Sequence, residues 1–505
     1  MKLYYARSIT IFVSILLGLM SESSLANVNN YFLSIKNKPD ELYQFFKKMP
    51  KGGELHYHLA GGASPEAMLS VAHQKNYCMD KLSYTIHVSK RVPTRTHCHG
   101  VLLNKLRKNS ALYNDTLQAW SLKNFTPTNE SNHDHFFASF FKFFPIVSDY
   151  GPELLADVMK HAAKQHELYM EVMILPDDAL SSRFGALIKH TTGLKQKEKI
   201  LSALPQMHEN IQHTIIESNL LLTKTRQQLH CDSDSKDPAC ALTVKFLYII
   251  LREQPLDNFF AQAFNGFAAA SKSNELIGIN LVQAEDGPIS LHDYRRQMNI
   301  INFLHHAYPT VHISLHAGEL APGKLGLNKV KPIDLQYHIF DAIHTGHAER
   351  IGHGTDIDYE KYAEDTLNHM AQESIPVEIN LTSNQKLLNI ERQKNPITHY
   401  LKHNVPVILS TDDEGILRTD LTREYVKAVT EQGLDYDKIK TINRNTLTYS
   451  FLPGKSLWKD PNKGRLVDAC SELHSPQCQA FIAHNEKAKL QWELETQLGD
   501  FERNF

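Results

Sequence analysis

The sequence predicts an α/β fold: one (β/α)8 TIM barrel with a helical N-terminal arm, long insertions after strands 1 and 2, and a helical C-terminal tail. Three observations carry this. Eight short apolar runs, rich in β-branched residues, follow one another, most of them separated by amphipathic segments. From the third run onward the repeat is roughly 30 residues, the length of one βα unit. Four of the runs end in clusters of polar residues, and such barrels carry their chemistry at the C-terminal ends of strands. The chain has 505 residues and is 42% hydrophobic, enough for a large core. Lys+Arg total 54 against Asp+Glu 56, a net charge of −2, so there is no basic excess to neutralise phosphates and a nucleic-acid partner is excluded.

Residues 1–26 read as a secretory signal: Lys2 and Arg7 supply the positive start, Ile9 to Met20 a short apolar run, and Ser24-Leu25-Ala26 a small-residue cleavage site. The run is too short to span a bilayer. This predicts export, to the periplasm or outside the cell, with no membrane attachment once the signal is removed. Residues 27–505 then form a single domain. Residues 27–50 form a helical arm with Tyr31, Phe32, Leu42, Phe45 and Phe46 as apolar positions; it covers the barrel bottom, or else makes a homodimer contact. The first strand contains Gly53-Glu54-Leu55-His56-Tyr57-His58-Leu59, and residues two apart in a strand face one way, so His56 and His58 point together.

Residues 62–150 are a long insertion with Cys78 and Cys98 and an aromatic helix from His135 to Phe144, which is core or the wall of an apolar pocket. The local basic group Lys105, Arg107 and Lys108 reads as a solvated helix face. A helix from Leu154 to His166 leads into the second strand, Leu168 to Ile174, and a helix-rich insertion with Cys231 and Cys240 follows. The remaining strands are Val244 to Leu251, Leu276 to Val282, Val311 to Leu315, Arg350 to Gly352, Val377 to Leu381 and Val405 to Leu409. Asp293 to Tyr308 and Asp334 to Thr345 are helices between them, and residues 421–505 form the outer tail. The 6 cysteines fall into near pairs, and export permits oxidation, so the predicted disulfides are Cys78–Cys98, Cys231–Cys240 and Cys470–Cys478.

The polar strand ends form a constellation. Strand one ends with His56 and His58, strand five with His316 and Glu319, strand six with His353, and strand eight with Asp412 and Asp413. Three histidines and one carboxylate suit zinc and leave a further position for water. Each cluster alone reads equally well as structural.

Four segments together resemble the adenosine deaminase family: Pro50-Lys51-Gly52-Gly53-Glu54-Leu55-His56-Tyr57-His58-Leu59, Leu315-His316-Ala317-Gly318-Glu319, Arg350-Ile351-Gly352-His353-Gly354 and Ser410-Thr411-Asp412-Asp413. The secretion signal, the early insertion and Met49-Pro50-Lys51-Gly52-Gly53 are similar to its extracellular branch, the adenosine deaminase-related growth factors. The resemblance implies a zinc-dependent deaminase domain with one Zn2+ per chain, ligated by His56, His58, His316 and Asp412, and a small-molecule purine nucleoside as substrate. It implies that Glu319 protonates N1, that His353 orients the nucleophile made available by the metal, and that Asp413, protonated, donates to N7. Two substrate-binding positions depart from the family pattern. Ala60 stands where an acidic residue usually reaches the ribose, and Gln283 stands where a glycine usually brings the backbone to the N3 edge of the purine.

Three alternatives stand beside this reading. A binuclear amidohydrolase needs a bridging lysine on strand four, and Leu276 to Val282 contains none. A nucleoside-binding extracellular protein with vestigial activity is disfavoured by the intact Glu319 and His353. The same chemistry on adenine, or on an N6- or 5′-modified adenosine, stays open because of Ala60.

Overall fold

A computed structural model describes residues 27–74, 77–87 and 98–505. Its centre is a ring of eight parallel strands in chain order: β1 (Lys51–His58), β2 (Glu167–Ile174), β3 (Thr243–Leu251), β4 (Leu276–Val282), β5 (His312–Ala317), β6 (Arg350–His353), β7 (Val377–Ile379) and β8 (Val407–Leu409). The ring closes where His58 N–H donates to the Asp412 carbonyl at 3.1 Å and Asp412 N–H donates to the His56 carbonyl at 3.2 Å. β1 and β2 are buried along their whole length, as parallel strands covered on both faces must be. That double burial is why these strands read as apolar runs rather than as alternating patterns.

The connecting helices include Gly151–Lys164 before β2, Leu256–Ala270 before β4, Pro288–Ala307 before β5, His338–His344 before β6 and Ala363–Glu373 before β7. β8 begins two residues later than expected, because Pro406 has no N–H to donate; its carbonyl still accepts from Val377 N–H at 2.9 Å. The arm is helical over 27–35 and again at Pro39–Lys48. Phe32 and Phe45 pack edge-on or tilted against Tyr436, and Phe45 against Phe501, so arm and tail share one aromatic cluster. At the N-terminal end of β1 the buried Lys51 ammonium donates to the carbonyls of Phe46 (2.6 Å), Gln165 (2.7 Å) and Met49 (3.1 Å), which ties the arm to the barrel floor.

Two expectations need correction. Lys105, Arg107 and Lys108 lie on no common helix face: a short 3₁₀ turn, Leu103–Lys105, ends there, and the next helix starts at Ala111, where the Ser110 hydroxyl accepts from Tyr113 N–H. The tail is helical at Leu421–Thr430, Tyr436–Thr448, Pro476–Ile482 and Glu486–Glu502, but it also holds an antiparallel strand pair, Trp458–Asp460 with Arg465–Leu466. The three expected disulfides, Cys78–Cys98, Cys231–Cys240 and Cys470–Cys478, are all formed. The signal at 1–26 lies outside the described residues. Among the described residues no helix is long and apolar enough to cross a membrane.

Candidate active site

Four strands bring their polar ends to one point. His56, His58, His316 and Asp412 are buried, and their ligand atoms lie within 4.8 Å of one another. The Nε2 atoms of His58 and His316 are 3.2 Å apart, and Asp412 Oδ1 is 3.2 Å from His58 Nε2 and 3.4 Å from His56 Nε2. Two ligands of a tetrahedral zinc, each about 2.0–2.1 Å from the metal, lie about 3.3 Å apart. His56 Nε2 is buried and has no hydrogen-bond partner among the described residues. Three ring nitrogens and a carboxylate oxygen spaced in this way fit zinc.

Three of the rings, His56, His316 and His353, are held from behind, and this fixes which nitrogen faces the site. His56 Nδ1 donates to Glu378 at 2.8 Å, and Glu378 in turn accepts from Arg350 Nε at 2.6 Å. His316 Nδ1 donates to Asn280 Oδ1 at 2.9 Å, and His353 Nδ1 donates to Asn384 Oδ1 at 3.0 Å. A ring that donates from Nδ1 keeps its Nε2 lone pair for the site. The second oxygen of Asp412 accepts from the Ser383 hydroxyl at 2.7 Å. Gly352 makes room for the His56 ring: a Cβ there would stand 2.6 Å from its Cε1. Sequence reasoning missed Glu378, Asn280 and Asn384. For Glu378 and Asn280 the signal is a polar residue inside an apolar strand, as in Val377-Glu378-Ile379; Asn384 lies in the helix Leu381–Leu388 and carries no such signal.

The acid–base groups sit beside this cluster. His353 Nε2 lies 3.8 Å from both Glu319 Oε1 and Asp412 Oδ2. Burial pushes the His353 imidazole down to about 4, so the ring is neutral near pH 7. Burial, helped by the negative charge of Asp412, pushes the Glu319 carboxyl well above the ordinary range. The backbone of Glu319 is held by a different carboxylate: Glu285 accepts from Gly318 N–H at 3.0 Å and from Glu319 N–H at 2.8 Å. Burial works against the charge of Glu285, but Arg252 and His338 hold its carboxyl down to about 2. A carboxylate held charged therefore positions one that burial pushes toward its protonated form, two roles set by environment. Asp413 is buried, and burial together with Asp412 raises its carboxyl well above the usual value. Its Oδ1 has no hydrogen-bond partner among the described residues. Gly61 leaves space for it, since a Cβ there would fall 1.7 Å from Asp413 Oδ1. His353 and Asp412 both have left-handed backbones, φ +66° and +67°, the local strain that active sites often store.

The two departures are also placed. Ala60 lies in the short helix Leu59–Gly62, directly after the β1 ligands, and offers only a methyl group. Gln283 follows β4 with φ +85°, a conformation that favours glycine, and its side-chain oxygen turns to accept from Glu253 N–H at 2.9 Å.

Residues 106–460 match the family model described as adenosine deaminase. The chain belongs to the adenosine deaminase family. Among its relatives, N6-methyl-AMP deaminase of Danio rerio is 32% identical over 127 residues, which is 25% of this chain and 35% of that protein. Adenosine deaminase of Klebsiella pneumoniae is 33% identical over 144 residues, 28% of this chain and 38% of that protein. The chain thus aligns with little more than a third of the length of these relatives. A crystal structure of an amidohydrolase from Burkholderia ambifaria with bound zinc has the same fold, with a TM-score of 0.52 and 12% identity, covering 91% of this chain and 94% of that one.

Proposed function

We propose that the protein hydrolytically deaminates a 6-aminopurine nucleoside, adenosine or a close relative, to the 6-oxopurine and ammonia. The observation that carries this is the convergence of His56, His58, His316 and Asp412 at zinc-ligand spacing beside Glu319, whose carboxyl burial pushes well above the ordinary range. In this reading the four residues hold one zinc per chain. Zinc there supplies a Lewis acid that lowers the pKa of water toward neutrality. His353 orients the attacking water on the C6 face of the purine. Glu319, protonated because it is buried, gives its proton to N1 as the water oxygen bonds to C6. Asp413, also neutral, donates to N7, which can only accept. The C6–N bond then breaks: one proton of the water leaves with the amine as ammonia, and the other returns to the Glu319 carboxylate, which is protonated again for the next turnover.

Export, and membership of the extracellular growth-factor branch, are part of the proposal. They are supported by the sequence of residues 1–26, by Met49-Pro50-Lys51-Gly52-Gly53 and by the three disulfides. A second reading keeps the reaction and changes the substrate to adenine or to an N6- or 5′-modified adenosine. The methyl group of Ala60 favours it, because no carboxylate is present there to hold the ribose. An ultraviolet assay of purified protein over a panel of 6-aminopurines, with metal analysis of the same sample, tests both readings. Turnover of adenosine with one zinc per chain is expected. A zinc-loaded protein that turns over none of the panel would overturn the proposal.

A further inference from the structure

We propose that a second cation site lies on the outside of the barrel, formed by His399, His403 and Glu364, and that it takes a borderline divalent ion such as zinc, nickel or copper(II). His399 lies in the helix Ile397–Lys402 and His403 caps its C-terminal end, so the two residues are one turn apart on one face, with ring centroids 4.7 Å apart. Glu364 comes from the first turn of the helix Ala363–Glu373, and its carboxylate meets His403 Nε2 at 3.3 Å. One ligand atom from each of the three residues lies within 4.8 Å of the others.

The hydrogen bonds fix the tautomers. His399 Nδ1 is bonded to the Asp358 carboxylate, and His403 Nδ1 to the carbonyl of His399 at 3.0 Å. Both partners only accept, so each Nδ1 donates and each neutral ring keeps its lone pair on Nε2. With the ring neutral, His403 Nε2 and the Glu364 carboxylate face each other as two acceptors 3.3 Å apart, a gap that a shared proton or a shared cation fills. The Asp358–His399 pair is the carboxylate–histidine arrangement that orients metal ligands. Two imidazoles and one carboxylate select borderline transition metals; calcium and magnesium prefer all-oxygen sites. The ligands are partly exposed, with His403 at 25% and Glu364 at 72%, so the ion exchanges more easily than one in the buried cluster. Tyr400, between the two histidines, donates to the Gly354 carbonyl at 2.7 Å, next to His353. A bound ion would therefore fasten this helix to the segment that follows β6.

The test uses the full chain with its buried ion in place, stripped of loose metal by a mild chelator and titrated calorimetrically with nickel. One further ion per chain is expected, with a rise in the thermal midpoint. His399→Ala and His403→Ala should each abolish that uptake and that rise while leaving purine turnover unchanged, which also shows that the variants fold. Asp358→Ala touches no ion and should weaken binding by about 10- to 100-fold. His347→Ala, in a different histidine cluster, should change nothing. Uptake that survives both His399→Ala and His403→Ala, or that His347→Ala abolishes, overturns the proposal. So does an absence of uptake in the wild type, which would mean that the His403–Glu364 pair shares only a proton.

Discussion

The metal end of the site and the end that the proposed function assigns to the purine edge and the sugar are built differently. At the metal end three of the inward-facing rings are braced by buried residues of the barrel: Glu378 behind His56, Asn280 behind His316, Asn384 behind His353. At the other end Ala60, at the proposed sugar position, offers a methyl group, and Gln283, at the proposed N3 edge of the purine, spends its side chain on Glu253 N–H. The insertion reaches the barrel close to Gln283: His133, from the helix Asn132–Asp149, meets Asp286 at 3.2 Å, both buried. In the proposed function the barrel strand ends supply the chemistry, and recognition beyond the purine falls to loops and insertions. Changes at the metal end should thus act on kcat and metal content, and changes at the sugar end on KM.

The largest effects belong to the metal end. His316→Ala should lose zinc and activity together, read by metal analysis and assay of the same sample. Glu319→Gln should keep zinc and lose roughly 10²- to 10⁴-fold in kcat, because an amide cannot supply the N1 proton. A variant within a few-fold of wild type would remove Glu319 from the mechanism. The pH profile adds a check. Glu319 acts while protonated, and burial raises its pKa, so wild-type activity should fall as pH rises through that raised value. The residual activity of Glu319→Gln should lack this limb.

Glu378→Ala probes the brace rather than the ligand. It should weaken zinc by about 10- to 100-fold, since His56 loses the partner that orients it. Among the described residues it also leaves Arg350 with Glu171 alone as a carboxylate partner, at 2.5 Å, so the midpoint of thermal unfolding should drop as well. Zinc affinity equal to wild type would show that the ring is held by packing alone.

The strand ends were legible because their chemistry is local. Two histidines two apart, a histidine and glutamate three apart, and paired aspartates each sit within one short segment. The braces were not, because they join distant parts of the chain: Glu378 lies 322 residues from His56, and Asn384 lies 31 from His353. A charge inside Val377-Glu378-Ile379 announces that something unusual is buried there, but not what it meets. The barrel itself was legible from its repeat, down to strand ends misplaced by one or two residues. The strand pair in the tail was missed because its second strand, Arg465–Leu466, is too short to show a pattern. The basic group at 105–108 was misread because charge says nothing about whether a helix has already ended.

At the sugar end, Ala60→Asp should restore a hydrogen bond between a sugar hydroxyl and a charged group, worth roughly 1.5–3 kcal/mol, and so lower KM for adenosine by about 10- to 100-fold with kcat little changed. KM for adenine, which has no sugar, should not move. Equal KM values for every substrate in both proteins would show that Ala60 does not limit recognition.

Gln283→Gly should have the smallest effect, and the reason is a near-cancellation. A non-glycine residue in the left-handed region is strained by roughly 1–2 kcal/mol, which glycine relieves. Against this, glycine loses more freedom on folding, about 0.5–1 kcal/mol, and the bond to Glu253 N–H, worth about 0.5–1.5 kcal/mol, disappears. Net stability should therefore stay within about 1 kcal/mol of wild type. The N–H at 283 is retained, so if the purine is met there by backbone, KM should stay within about threefold, less than 1 kcal/mol. A tenfold or larger change in KM for adenosine, with adenine unaffected, would place the Gln283 side chain in contact with the sugar and would mean that the sugar end is more fully built than Ala60 suggests.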